Sequence, residues 1–395
     1  MSEEKLVPKL RFSGFDDEWK TYKLKDLLHN KSSSISINQL DDNVGNYPLY
    51  GASGFLKCID FYEMDSDYIS IVKDGSGVGN ISFHEKNTSV VNTSQYILPK
   101  ENLNIHFIFY LLQTINLNKY KTGSTIPHIY FKDYSIEKVK IPKYDEQKKI
   151  GILLKNLDAK IEILDNKLQM CQNFKKYLMQ QIFTQKLRFA DCTGEWNLFK
   201  LGDIVELMRN GCSENQVSFE TEFPVTRIET ISKGILNFDK VGYVEKIDSS
   251  YLLQYGDILL SNINSLKYIG NCVFFDEDKP LYHGMNLMLM RFKDDFNKKY
   301  LFYYMKFYQQ WFQKMACQAV NQASINQSSL KKFPFYIPPT IDEQNKIVNV
   351  IDDTEHKINS IEDQIIKMEE FKKGLLQQMF VVQLILSLLQ NKKHI

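Results

Sequence analysis

The chain has 395 residues, 43% hydrophobic and 25% charged, which suits two or three globular domains of a soluble protein. Lys and Arg (49) nearly cancel Asp and Glu (48), so any site for nucleic acid must be a local patch rather than a uniformly basic surface. Six scattered cysteines (58, 171, 192, 212, 272 and 317) form no CxxC pair, against a disulfide scaffold or a structural zinc. The charged start MSEEKLVPK has no apolar signal core and the run at 380–389 is too short to span a bilayer, so a cytoplasmic protein without membrane contact is expected.

In chain order, an N-terminal segment (1–18) carries KLRF at 9–12. Residues 19–144 read as an α+β globule. Short apolar runs such as DYISIVKDG and SVVNTSQYIL, broken by Gly, Asn and Asp, are strand and turn signals, and NIHFIFYLLQTINLN reads as one helix. Residues 145–185 read as a long helix: Pro142 precedes it, Asp145 and Glu146 occupy its first turn, and no proline interrupts it. A second α+β globule follows at 186–341, with strand-like GDILLSNI and NLMLMRF and one helix expected over NKKYLFYYMKFYQQWFQKM. A second long helix is expected at 342–380, then an apolar tail at 381–395.

The chain also repeats itself. Lys9, Leu10, Arg11, Phe12, Glu18, Trp19, Lys23, Leu24 and Asp26 recur 177 positions later, in KLRFADCTGEWNLFKLGD. Asp145-Glu146-Gln147, Lys149-Ile150, Lys160-Ile161, Phe174-Lys175-Lys176, Leu178, Gln180-Gln181 and Phe183 recur 197 positions later. Both helices carry apolar residues at alternating spacings of four and three. The heptad seam comprises Leu154, Leu157, Ile161, Leu164 and Leu168 in the first, with Ile351, Ile358, Ile361, Ile365 and Met368 in the second. The order globule, helix, globule, helix predicts a pseudo-twofold internal repeat in which the helices pair as an antiparallel coiled coil. By that symmetry KLRF at 9–12 should pack near the end of the second helix.

Several stretches invite a chemical reading. DGSGVGN at 74–80 lacks the Lys-Ser/Thr of a phosphate loop and reads as a tight hairpin turn, with Lys73 and Ser76 at its edge as candidates to face DNA. The stretch 119–132 offers Lys119, Lys121, Ser124, Thr125, His128 and Lys132 among aromatics. Two amide-rich stretches in the second globule add Asn262, Asn264, Lys267, Tyr268, Asn321 and Gln322, because Asn and Gln can bond adenine through two atoms. Arg209 and Arg227 suit phosphate or guanine. Asp257 with Glu277 and Lys279 loosely fits the layout of a metal-dependent nuclease, and a charged hairpin turn is the competing reading. No methyltransferase tetrapeptide for a flipped base is present, and the seven histidines show no metal-ligand spacing.

The paired KLRF…EW…KL.D entries, the paired IP….EQ..I helix starts, the FKK.L.QQ.F helix ends, and VKDGSGVGN and YGDILLSN resemble the specificity subunit of type I restriction-modification enzymes. The resemblance implies a non-catalytic subunit whose two target-recognition domains each read half of a split sequence in double-stranded DNA. It implies helical spacers that dock two methyltransferase subunits, with restriction (translocase–nuclease) subunits outside them. The chain itself would bind no cofactor, and the assembly would use S-adenosylmethionine, ATP and Mg. Two other readings stand beside it: a coiled-coil scaffold that binds protein without DNA, and a self-contained metal-dependent nuclease. The tail beyond QQMFV departs from the family pattern.

Overall fold

The computed structural model describes residues 6–380 and 382–384, apart from 41, 233 and 319–321. The chain falls into two compact units, residues 1–167 with 362–395, and residues 168–361. Each long helix, Tyr144–Phe183 and Ile341–Phe380, therefore begins in one unit and ends in the other.

In the first unit a four-stranded antiparallel sheet runs in the order Leu28–Ser32, Ser94–Pro99, Tyr68–Val72, Ile81–His84. The YISIV strand is buried at every position, which suits its β-branched and aromatic content. Ile69 and Ile71 join the main core with Phe107, Leu111 and Trp19, while Tyr68 belongs to a smaller cluster with Tyr96 and Val90. A ribbon of Lys20–Lys23 with Lys138–Ile141 ties the start of the globule to its end. That closure brings Pro142 and the helix start beside Trp19.

The repeated motifs interlock at this junction. Arg11 donates to both carboxylate oxygens of Glu146 (2.7 and 2.8 Å), which is only 1% exposed. The buried Gln147 amide donates to Pro142 O (2.9 Å) and its oxygen accepts from Asn104 N (3.0 Å). Asn104 in turn caps helix Ile105–Gln113 by accepting from Phe107 N. The closing segment of the second long helix completes the core: Phe380 stacks on Phe107 at 5.2 Å, and Leu375 and Met379 are buried in the same cluster. Leu10 N donates to Gln378 O (2.9 Å), where KLRF was expected. Backbone pairing of Leu6–Pro8 with Val382–Leu384 follows immediately, so the start of the apolar tail is a strand partner of the N-terminus.

The second unit repeats the plan with different residues. Its four-stranded antiparallel sheet runs Val205–Asn210, Met288–Phe292, Ile258–Leu260, Cys272–Phe274, and Asn197–Lys200 pairs with Pro334–Ile337. Arg188 holds Glu343 with two bonds of 2.8 Å. Gln344 bonds Pro338 O and Asn297 N, and Asn297 caps helix Lys298–Phe307. Phe183 packs edge-on against Tyr300 and Tyr304 (5.8 and 5.3 Å). The single helix expected over 297–315 is two, Lys298–Phe307 and Gln309–Met315, because the backbone at Tyr308 leaves helical geometry (ψ 24°).

Candidate nucleic-acid interface

In the first unit the hairpin between Tyr68–Val72 and Ile81–His84 closes through Val72 N to Asn80 O (3.0 Å) and Gly79 N to Val72 O (2.8 Å). Gly75 and Gly79 adopt φ of +92° and +89°, a region that a side chain enters only with strain, which is why this turn is written with glycine. The segment 122–129 then docks against the turn. Ile129 N donates to Lys73 O (2.9 Å), Gly75 N donates to Pro127 O (3.0 Å), and Asp74 Oδ1 lies 2.6 Å from His128 Nδ1. Thr122 and His128 exchange two backbone bonds and close a second small hairpin. Ser76, Lys121, Ser124, Thr125, Ile126, Tyr130 and Lys132 are left exposed.

The second unit carries the same backbone frame. Ser261 N donates to Asn271 O (2.8 Å), Gly270 N to Ser261 O (3.0 Å), and Ile325 N to Asn262 O (2.9 Å). Gly270 has φ +81°, as Gly79 does in the first. Ile263–Asn264 pairs with Ala323–Ser324, which pairs with Cys317–Gln318. The hairpin tip here is longer and presents exposed Lys267 above the half-buried Tyr268 ring (4.6 Å), and Gln322, just before the paired Ala323–Ser324, is also exposed. In both units, then, the structure joins stretches that sequence had singled out separately.

Not every candidate keeps the role assigned to it. Asn262 is only 3% exposed and bonds the Ile325 segment through its main chain, so it is a frame residue and not a reader of bases. Asn264 is half-buried and uses its side chain locally, on Ser261 Oγ (3.1 Å) and Ser265 N (2.8 Å). Lys119 is exposed but paired with Glu137 at 2.9 Å, and Tyr120 bonds the same carboxylate. Arg209 lies over Tyr251 (3.9 Å to the ring centre) and bonds Ser250, so it clamps the 248–251 turn. Arg227 is exposed, 3.8 Å from Glu229. Lys73 is half-buried, and Asn321 lies outside the described residues. Sequence reading passed over Asp74, the residue that ties the first hairpin to its neighbour. An aspartate beside two glycines signals only a turn, and its partner lies 54 residues away.

The nuclease layout does not assemble. Asp257 is fully buried and bound at both oxygens by Arg291 (2.8 and 2.7 Å), while Glu277 and Lys279 lie in an exposed turn. Among the described residues no cluster of three or more His, Cys, Asp or Glu is placed to hold a metal ion. No described helix is long and apolar enough to cross a membrane.

Two units of one plan, each carrying a polar double loop beside its sheet, give the chain a duplicated architecture. The chain belongs to the family of type I restriction modification DNA specificity domains, whose model matches residues 16–171 and 193–370. It is 38% identical over 205 residues to the "Putative type I restriction enzyme MjaX specificity subunit" of Methanocaldococcus jannaschii, an alignment that covers 50% of this chain and 48% of that protein. It is 22% identical over 318 residues to the type I restriction enzyme MjaVIII specificity subunit of the same organism (73% of this chain, 74% of that one). The fold is that of the type I restriction-modification S subunit from M. genitalium, with a TM-score of 0.68 at 16% identity over 96% of this chain and all of that one.

Proposed function

We propose that this protein is the DNA sequence-specificity subunit of a type I restriction-modification enzyme, a non-catalytic cytoplasmic component that reads a bipartite target with one unit per half-site. The observation that carries this reading is the pair of identical backbone frames bearing different tips. Ser76, Ser124 and Thr125 stand in one unit, and Lys267, Tyr268 and Gln322 in the other. A rigid frame with variable donors and acceptors at its edge suits base reading in the major groove, while Lys121, Lys132 and Arg227 suit phosphate contact. The small net charge fits a chain whose partners supply part of the phosphate-binding surface.

Antiparallel pairing of the long helices is part of this proposal. Asp158 bonds Lys372 within the first unit and Lys175 pairs with Glu355 within the second, and all ten seam residues are buried or half-buried. On the outer face Met170, Phe174 and Tyr177 are 72%, 54% and 55% exposed at spacings of four and three. An apolar stripe of that kind on a soluble helix supports the docking of two methyltransferase subunits, with restriction subunits joining outside them. S-adenosylmethionine, ATP and Mg belong to those partners.

The test is a domain exchange. Residues 20–143 are replaced by the equivalent segment of another family member, and methylated bases are mapped in cells that carry the matching methyltransferase. One half of the methylated motif should change and the other should persist. A motif altered in both halves, or in neither, would overturn the assignment of one unit to each half-site.

A further inference from the structure

Resting on that reading, we propose that Asp74 and His128 are the positioning pair that sets base choice at the first half-site. They do so by locking the hairpin tip at 74–79 to the loop at 122–128, so that both are presented as one surface. Three observations lead there.

The first is geometric. The two side chains meet at 2.6 Å, flanked on one side by Ile129 N to Lys73 O and on the other by Gly75 N to Pro127 O. The side-chain contact sits in the middle of the docking seam, two residues from Ser76 and three from Thr125. The second is exposure. The side chains are 37% and 32% exposed, so the pair lies at the solvent edge beside the candidate reading groups. A half-exposed side-chain contact of this kind adds little to global stability. A contact of this kind orients loop tips without being needed to fold the globule.

The third is the contrast with the second unit. The same two frame positions there hold Ile263 and Ser324, which pair through the backbone as Asp74 and His128 do, but the Ile263 side chain can make no polar tie across the seam. That hairpin has its own means of fixing its tip: Gln313 Nε2 bonds Lys267 O, and Gln309 Nε2 bonds Ile269 O and Asn271 Oδ1. In the first unit the corresponding tip is short, and the Asp74–His128 contact is the side-chain tie that the frame carries to its neighbour.

The experiment uses the full chain assembled with its methyltransferase subunits, and measures binding to a DNA library randomised at one half-site at a time. His128→Ala and Asp74→Ala should each lower discrimination at the first half-site by about tenfold, in the range that a single base contact provides. Discrimination at the second half-site and methyltransferase assembly should stay at wild-type levels. His128→Asn, whose amide places a donor where Nδ1 stands, should restore first-site discrimination. The double variant Asp74→Ala with His128→Ala should lose no more than either single one. Unchanged discrimination in His128→Ala, equal loss at both half-sites, or failure of His128→Asn to rescue would each overturn the proposal. An assembly in which the wild-type chain selects no sequence at all would instead overturn the proposed function.

Discussion

Arg188→Ala should be among the most damaging single changes in this protein, and more damaging than the loss of its partner's charge. Glu343 is 1% exposed and accepts two bonds from Arg188 and a third from Trp196 Nε1 (3.1 Å). Removing the guanidinium strands a buried carboxylate with one indole donor. Breaking a buried pair from one side in this way costs about 3–5 kcal/mol. The converse change leaves a better-provided cation. Arg188 is 28% exposed and also bonds the carbonyls of Thr193 and Gly194, so in Glu343→Gln it keeps solvent and two acceptors. The neutral amide still accepts from Trp196, and the cost should be nearer 1–2 kcal/mol. Urea unfolding followed by tryptophan fluorescence is a fitting assay, since Trp196 touches the site. Arg188→Ala should lower the midpoint of the second unit's transition with its slope unchanged. In the first unit the Trp19 indole nitrogen has no partner among the described residues, so Glu146 would be left with less when Arg11 is removed. Arg11→Ala should therefore cost at least as much as Arg188→Ala. A loss below about 1 kcal/mol for Arg188→Ala, or equal losses for Arg188→Ala and Glu343→Gln, would refute this reasoning.

Gly270→Ala should cost about 2 kcal/mol and Gly79→Ala about 1 kcal/mol, because both stand at positive φ. The Gly270 Cβ would also press on Gln309 Cγ and Phe312 Cβ at 3.0 Å, while at Gly79 the nearest atom is 3.6 Å away; calorimetry that ranks them the other way would reject the explanation. Burial holds both His84 and His283 down at about 4, so the unfolded chain, titrating near 6.5, takes up their protons first. Neither costs anything above pH 6.5. As pH falls from 6.5 toward 4 each removes stability, about 2 kcal/mol at pH 5, and the loss is complete below 4. The fall in Tm between pH 7 and pH 5 should be smaller in His84→Gln and in His283→Gln, and an unchanged fall would show that these rings titrate elsewhere.

What the amino-acid sequence determined by itself was the periodic and the duplicated. The long helices, read at 145–185 and 342–380, run Tyr144–Phe183 and Ile341–Phe380, because proline-free stretches with acidic first turns and a heptad seam are local signals. The strands in DYISIVKDG and NLMLMRF were legible for the same reason. The doubled KLRF and DEQ motifs announced two copies of one frame, although not that Arg11 and Arg188 exist to neutralise Glu146 and Glu343. Only the tertiary structure decided which remote segments meet. The docking of 122–129 on 73–75, and of 323–325 on 262–264, is carried largely by backbone N–H and C=O groups that every non-proline residue possesses, so side-chain identity does not record it. The same blindness hid the burial of Asn262, whose amide suits a base as well as a buried turn, and the contacts of Arg209 with Tyr251 and Ser250. Each long helix also finishes in the unit that the other begins, because Phe380 and Phe183 find the aromatic surfaces of Phe107 and Tyr300 there. That choice depends on surfaces formed only after each globule has closed, and a residue pattern read along one helix holds no record of it.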